Sequence, residues 1–173
     1  MRKNEQELRH QAALTAAMEI MTAARTAPKG KGRDTLEIVL VTGEDLEVLA
    51  TKMEELGKEK DIHIFERDAN NVRHSEALIL IGSRISTLGL TYCGYCGYTC
   101  TTKPEEAPCV FNGIDMGIAL GSAAAKAADC RVDSRILYTA GKAALDLNWL
   151  PASSIACGLP ISITSKSPYF DRK

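Results

Sequence analysis

Four of the six cysteines lie in one short stretch of the chain, with the spacing C-x2-C-x3-C-x8-C. They are Cys93, Cys96, Cys100 and Cys109. Thiolates at this spacing can converge on one metal ion or one cluster, since cysteine sulfur is a common ligand of zinc and of iron–sulfur clusters. Gly94 and Gly97 stand between them, and glycine lets the backbone turn tightly enough to aim several thiols inward. The first interpretation of the spacing is therefore a [4Fe–4S] cluster.

Structural zinc and disulfides are the alternative interpretations of these cysteines. Zinc sites are usually built from two separated pairs of ligands, whereas here three cysteines crowd into eight residues. Disulfides are rare in cytosolic proteins. We take Cys109 as the fourth ligand, with Cys130 or Cys157 as the alternative. Because Cys130 and Cys157 lie beside apolar segments, a simpler interpretation makes them small buried hydrophobic residues.

A compact basic segment follows the first predicted helix and is a candidate site for the phosphate of a cofactor. Its cations are Arg25, Lys29, Lys31 and Arg33. Gly30 and Gly32 separate the last three, and glycines between cations expose backbone N–H groups that favour anions. A solvated charged loop is the plainer interpretation. The three histidines are scattered and indicate neither a metal site nor a triad, so the catalytic residues stay undefined.

The composition argues against several classes of protein. With a net charge of −1 and mixed charges, the chain has no electrostatic footprint for nucleic acid or an anionic membrane. No apolar run approaches the roughly 20 residues of a membrane-spanning helix. The N-terminal residues lack the apolar core of a secretory signal. We therefore expect a cytoplasmic protein, in which clustered cysteines are more often metal-binding or catalytic than disulfide-bonded.

The length of the chain predicts a single domain, 1–173, with a cysteine-rich loop at 90–112. Apolar residues at steps of three and four predict a helix over 5–25 and a second over 46–60. The second has acidic residues at its start and lysines at its end, which suits the helix dipole.

Three strands are expected in the first half of the chain. The β-branched run at 35–42 predicts one, and the short apolar run at 62–65 is a second candidate. The continuous apolar run at 77–82 predicts a central strand. The polar stretch 68–75 is expected to be irregular or a single helical turn.

The second half predicts helices over 114–129 and 135–147 and a last strand over 154–164. Gly158 and Pro160 interrupt that strand, which argues for an edge or a bulge. The polar tail from 165 to 173 is expected on the surface. Helices alternating with strands predict a layered fold, which we assign to the α+β class with a mixed β-sheet packed with helices.

The helix over 114–129 is unusually rich in glycine and alanine. Asn112 or Gly113 is expected to cap its N-terminus, and Asp115 is assigned to the same cap. Gly117 and Gly121 are expected to let another element pack closely against it.

The cysteine loop, the segment FNGIDMGIALGSAAAKAADCRVDSRILYTAGKAA and the ending SKSPYFDR resemble a family of small bacterial and archaeal proteins that contain a ferredoxin domain. The resemblance covers nearly the whole chain. It implies a [4Fe–4S] site at the cysteine loop and brings no established activity.

A second resemblance concerns the scaffold. The stretch AALTAAMEIMTAARTAPKGKGRDTLEIVLVT is similar to the helix, Ala-Pro turn and strand that open the flavin-binding core of the nitroreductase fold. The helix at 114 and the final CGLPIS strand follow in matching order. This resemblance implies an α+β sandwich, FMN bound between two subunits and an intertwined homodimer.

Three functional hypotheses follow from these patterns. The first is an iron–sulfur protein used for electron transfer or redox sensing, with a redox partner protein. The second is an FMN-dependent oxidoreductase of nitroreductase type, with the segment 25–33 at the FMN phosphate. The third is a structural or interaction module stapled by zinc.

Overall fold

The computed structural model describes residues 2–170, in which a four-stranded sheet lies between two layers of helices. The strands are β1 (Leu36–Val41), β2 (Ala77–Ser83), β3 (Asp133–Ser134) and β4 (Ile155–Ser162). The helices are α1 (Glu5–Thr26), α2 (Glu44–Lys60), α3 (Ile64–Arg73), α4 (Val110–Asp129) and α5 (Tyr138–Asp146), with a 3-10 turn at Gly30–Gly32. The α+β class is confirmed. The strand order is β1-β2-β4-β3 with antiparallel pairings, so the expectation of a mixed sheet is wrong.

The two faces of the sheet are covered by different helices. α1 and α4 pack on one face, over Ile79 and Ile81 of β2. α2, α3 and α5 pack on the other face, over Leu78 and Leu80. Alternate residues of a strand point to opposite faces, so β2 supplies both hydrophobic cores. All of β2 is buried, which confirms the predicted central strand.

The N-terminal elements follow the sequence closely. α1, α2 and β1 confirm the helices predicted over 5–25 and 46–60 and the strand predicted over 35–42. The Asn4 side chain caps α1 by accepting a hydrogen bond from the backbone N of Gln6 at 3.2 Å. No helix within residues 2–170 combines the length and the apolar character needed to cross a bilayer.

The segment 62–75 differs from its prediction, because one helix replaces the expected strand and irregular stretch. Phe65, Ala69 and Val72 are buried at helical spacing on α3. Asp68 is also buried, and its carboxylate accepts a hydrogen bond from the Thr139 hydroxyl at 2.8 Å. That contact joins α3 to α5 and makes an acidic residue compatible with the core.

The predicted helix over 135–147 begins three residues late, at Tyr138. The chain before it pairs with β4 instead, through β3 and through a bridge between Leu137 and Gly158. α5 then packs directly on β4 at Gly141. A Cβ atom at that position would overlap the carbonyl group of Ala156 and lie 2.7 Å from the backbone N of Cys157.

β4 lies inside the sheet and runs without interruption, so the predicted edge or bulge is wrong. Pro160 fits in this strand because its nitrogen faces a position where no backbone hydrogen bond is made. Gly158 exchanges two 2.8 Å backbone hydrogen bonds with Leu137 on the β3 side of β4. Pro160 is two residues further along, so its nitrogen faces the same side. Because β3 reaches only Ser162 and Ile161, Pro160 faces a gap in that ladder where no N–H is needed.

The tail is anchored by a buried tyrosine rather than lying wholly on the surface, and its last residues, 171–173, are outside the described part. Tyr169 is 2% exposed, and its hydroxyl shares hydrogen bonds with Ser75 and Ser162. Burial raises the pKa of Tyr169 to about 12 from its usual 10. The folded state therefore favours the neutral phenol over the phenolate.

We expect ionisation of Tyr169 to lower the free energy of unfolding at high pH. Because the pKa of Tyr169 is higher in the folded state than in the unfolded state, its contribution to that free energy is fully present below pH 10. The contribution is lost as the pH rises from 10 to 12. The loss is about 2–3 kcal/mol of unfolding free energy. Urea denaturation at about pH 9 and about pH 11.5 measures it. The exposed Tyr92→Phe should keep this pH dependence and Tyr169→Phe should lose it, whereas equal behaviour of the two variants would contradict the assignment.

Candidate functional site

The cysteine loop lies in the connection between β2 and α4, which runs from residue 84 to residue 109. Its three tyrosines are solvent-exposed: 99% for Tyr92, 75% for Tyr95 and 45% for Tyr98. Three exposed aromatic rings on one loop offer apolar surface to the solvent. The loop is thus a surface feature rather than part of either core.

Two glycines shape the tip of the loop. Gly94 has φ 71° and Gly97 has φ 84°, values that residues with a Cβ rarely adopt. The backbone N of Gly97 donates to the carbonyl of Gly94 at 2.9 Å, which closes a turn with Cys96 inside it. This confirms that glycine lets the backbone curl between the cysteines.

The four predicted ligands occupy three different environments. Cys93 and Cys100 line one cavity of about 240 Å³ within the loop. The sulfur of Cys96 lies 3.8 Å from the carbonyl oxygen of Tyr98, at the turn. Cys109 is buried at the N-terminus of α4. All four thiols are free.

The four cysteines are close in sequence, but their thiols do not converge on one point. In the part of the chain that the structure describes, no group of three or more His, Cys, Asp or Glu side chains is placed to hold a metal ion. The donor set fits iron or zinc chemically, because it consists of four free thiols on a glycine-rich loop. The ligand assignment stays a prediction that requires the loop to close.

α4 begins four residues earlier than predicted, with Cys109 rather than Asn112 or Gly113 as its cap residue. Asn112 lies inside the first turn and is 3% exposed. Its Oδ1 accepts hydrogen bonds from the backbone N of Cys109 at 3.0 Å and of Ser86 at 3.2 Å. Its Nδ2 donates to the carbonyl of Ser86 at 3.0 Å. One side chain therefore ties the two ends of the loop together.

Replacing this amide should loosen the base of the loop. Asn112→Ala leaves the N–H of Cys109 and both backbone groups of Ser86 without these partners. We expect a loss of about 2–3 kcal/mol in unfolding free energy, measured by urea denaturation. The exposed Asn70→Ala on α3 is the control and should change stability little. Equal stability of the two variants would exclude this role for Asn112.

The basic segment after α1 forms the other support of the loop. Lys31 Nζ donates to the carbonyl of Gly89 at 2.8 Å. The Arg33 guanidinium lies 3.5 Å from the carbonyls of Thr87 and Leu88. The backbone N of Gly30 donates to the buried carboxylate of Asp115 at 2.9 Å, so Asp115 anchors this segment and is not the predicted cap. These contacts fix the chain where it leaves β2.

The other two cations of the predicted phosphate loop face α1. Lys29 Nζ donates to the carbonyls of Ala24, Arg25 and Ala27, which satisfies carbonyl groups at the end of the helix. Burial lowers the pKa of Lys29. Arg25 pairs with Asp34 at 2.6 Å. Each of the four cations thus already has an acceptor within the chain.

Two residues organise this region in a way that the sequence does not predict, Asn112 and Asp115. The sequence predicts Asn112 or Gly113 as the cap of α4 and assigns Asp115 to the same cap. Their partners, Ser86 and Gly30, are 26 and 85 residues away in the sequence. No local pattern announces such contacts.

The remaining cysteines are less suited to ligation. Burial raises the pKa of the Cys157 thiol in β4 and of the Cys130 thiol after α4. A raised pKa disfavours the thiolate, which is the form that binds metal. Cys130 also lies 3.7 Å from the Glu19 carboxylate. These surroundings support Cys109 over either of them as the fourth ligand.

The sequence matches one protein family and one related archaeal protein. Residues 105–172 match the family described as "Uncharacterized protein containing a ferredoxin domain". That range includes Cys109 and starts after Cys93, Cys96 and Cys100. A protein of Archaeoglobus fulgidus, described as an uncharacterized protein, is 42% identical over 98% of this chain and 96% of its own length.

Solved structures with a similar fold include nitroreductases. One is a nitroreductase with bound FMN from Bacteroides fragilis, with a TM-score of 0.61 and 15% identity, matched over 92% of this chain and 81% of its own. Another is a nitroreductase family protein from Clostridium novyi, with a TM-score of 0.60 and 18% identity, over 91% and 76% of the two chains. The chain therefore has the nitroreductase fold.

Proposed function

Since the chain belongs to the family of uncharacterized proteins containing a ferredoxin domain, we propose that it is a redox protein carrying one [4Fe–4S] cluster on its nitroreductase scaffold. The proposed ligands are Cys93, Cys96, Cys100 and Cys109. One observation carries the proposal: three free thiols lie on an exposed, glycine-turned loop whose base is tied beside the fourth.

The protein's part in this function is to hold the ligands. Asn112 fixes Cys109 and the start of the loop, and Lys31 fixes the chain at Gly89. Beyond that base the glycine turns leave the tip free to bring its three thiolates toward Cys109. When bound, the cluster supplies one-electron redox chemistry.

Elemental analysis of protein prepared without oxygen tests the proposal. We expect about four iron and four sulfide per chain, with a visible absorption band that fades on reduction. Protein reconstituted under reducing conditions that holds neither element would reject it. A colourless protein with stoichiometric zinc would favour the alternative, a zinc-stapled structural or interaction module.

A second candidate function is an FMN-dependent oxidoreductase. It is favoured by the shared fold with the FMN-bound nitroreductase of Bacteroides fragilis. In this alternative Arg25, Lys29, Lys31 and Arg33 hold the phosphate, after exchanging their present acceptors for phosphate oxygens. Those acceptors are backbone carbonyls and, for Arg25, also the Asp34 carboxylate. Titration with FMN tests it. Lys31→Gln should weaken binding and the exposed Lys58→Gln on α2 should not, and no binding to the unmodified protein would end this alternative.

We also propose that the protein is a homodimer through the outer face of α4. Ile114 and Ile118 are each 41% exposed on this face, and nothing lies within 4 Å of a Cβ placed at Gly117 or Gly121. The close packing expected at these glycines is therefore absent within residues 2–170. A second copy would supply it, since small residues let helices approach closely.

Ile118→Glu should convert the dimer into a monomer, because it places a charge in the centre of the proposed contact. Light scattering during size-exclusion chromatography measures the mass. Val48→Glu is the matched control, since Val48 is similarly exposed, at 46%, on α2 across the sheet. A wild-type monomer, or an Ile118→Glu variant that remains dimeric, would contradict this interface.

Two further assignments complete the proposal. The exposed tyrosines of the loop offer a contact surface to a redox partner protein, next to the proposed cluster. The cytoplasm is the proposed compartment, because six free cysteines suit a reducing environment.

A further inference from the structure

A cleft of about 600 Å³ lies between the end of β4, the turn after α4 and the first turns of α1. It is at the opposite end of the sheet from the cysteine loop. The loop leaves β2 after Ser83, which pairs with the start of β4 at Ile155. The cleft is lined by Ser162 at the end of β4 and by the residues that follow it.

The cleft contains the buried polar atoms that lack partners. In the described chain these are Oδ2 of Asp133 and Oγ of Ser167, and both residues line the cleft. A buried carboxylate oxygen without a hydrogen-bond donor is costly, and native proteins seldom keep one without a reason. A ligand that brings a positively charged donor would satisfy Asp133.

Arg131 provides the opposite charge. It has φ 59°, a left-handed conformation that glycine normally occupies after a helix. Its side chain lines the cleft, and no hydrogen bond or ion pair engages its guanidinium within residues 2–170. The conformation is unfavourable for a residue with a side chain.

The other arginine of the cleft is already neutralised. Arg9 forms a two-pronged pair with Glu5, with nitrogen–oxygen distances of 2.9 and 2.7 Å. The unpaired charges of the cleft are therefore one cation, Arg131, and one anion, Asp133. The hydroxyls of Ser165 and Ser167 add neutral donors and acceptors around them, while those of Ser162 and Thr164 already bond Tyr169 and the carbonyl of Lys166.

We propose that this cleft binds a small zwitterion of the α-amino acid class, with its carboxylate on Arg131 and its ammonium on Asp133. A guanidinium holds a carboxylate through two parallel hydrogen bonds, and a carboxylate is the matching acceptor for an ammonium group. A purely anionic ligand would leave Asp133 unsatisfied beside it. This site is independent of the cluster at the other end of the sheet.

Binding of individual standard α-amino acids, each at about 10 mM, is measured by NMR shifts of residues 131–133 and 162–167, followed by calorimetry. We expect at least one to bind. Its N-acetyl derivative and its α-amide, which each lack one of the two charges, should bind at least about tenfold more weakly.

Two variants locate the site. Arg131→Gly should lose binding at least about tenfold while its melting temperature holds or rises, because glycine suits the left-handed turn. Asp61→Gly is the matched control: Asp61 ends α2 with φ 55°, so its replacement relieves the same conformation and should keep binding. Asp133→Asn, a neutral substitution of equal size, should also lose binding.

Several results would overturn the proposal. These are the failure of every amino acid to bind, equal affinity of the amino acid and its two derivatives, or retained binding in Arg131→Gly. Inorganic phosphate that binds more tightly than any amino acid and displaces it would also overturn the proposal, since it would identify an anion site instead.

Discussion

Cys96→Ser should abolish loading of the proposed cluster and leave the fold intact, which is the largest functional effect that we expect. Cys96 lies at an exposed turn, and its sulfur donates a hydrogen bond to the carbonyl of Tyr98 at 3.8 Å. Removing a thiolate ligand should lower iron binding by more than the roughly 10–100-fold caused by losing a hydrogen-bond partner of a ligand. Iron and sulfide analysis measures the loss, and thermal melting without iron checks the fold.

Cys130→Ser is the matched control, because it makes the same substitution at a thiol outside the loop. It should retain iron. If it loses as much iron as Cys96→Ser, then Cys130 is a ligand and our assignment of the fourth position is wrong. If Cys96→Ser unfolds the protein completely, the bound metal has a structural role, which fits the zinc alternative better.

Gly141→Ala should cause the largest loss of stability. The added methyl group would overlap the carbonyl of Ala156, and a backbone group inside the sheet has nowhere to move. Either α5 separates from β4 or β4 distorts, and we expect a cost of about 3 kcal/mol or more. The melting temperature should fall by about 6–12 °C.

Gly113→Ala is the control for this substitution. Gly113 is exposed on α4, and nothing lies within 4 Å of its added Cβ. Alanine is the better helix former there, so stability should hold or rise by up to about 1 kcal/mol. If Gly141→Ala also stays within about 1 kcal/mol of the wild type, the close approach of α5 to β4 is not as described.

The sequence predicts well those elements whose own residues carry the pattern. α1 and β2 follow from apolar spacing and from a continuous aliphatic run, and both are confirmed. α3 was missed because the run from Ile62 to Phe65 is typical of a strand. On α3 the buried Asp68 is satisfied by a hydrogen bond from Thr139, 71 residues away. Non-local contacts of this kind leave no local trace.

In the candidate site, too, the local features could be predicted from the sequence and the non-local contacts could not. The spacing of the four cysteines and the glycines between them is a local pattern, and the glycine turns are present. The support of the loop is not local, because Asn112 reaches Ser86 and Lys31 reaches Gly89 across 26 and 58 residues. The start of α4 was predicted too late for a different reason: its cap is local, because Asn112 at the third helical position accepts a hydrogen bond from the backbone N of Cys109, but Cys109 is not one of the usual cap residues.

The hydrogen bonds that Asn112 makes to Ser86 and Cys109 affect how freely the length of the loop can vary. A loop whose ends are already joined adds little entropic cost when it grows, only about 0.6 kcal/mol for each doubling of its length. Beyond Gly89, where the contacts of Lys31 and Arg33 end, insertions and deletions before Cys109 should therefore leave both cores unchanged. A chimera that carries a different short peptide in this segment should therefore still fold.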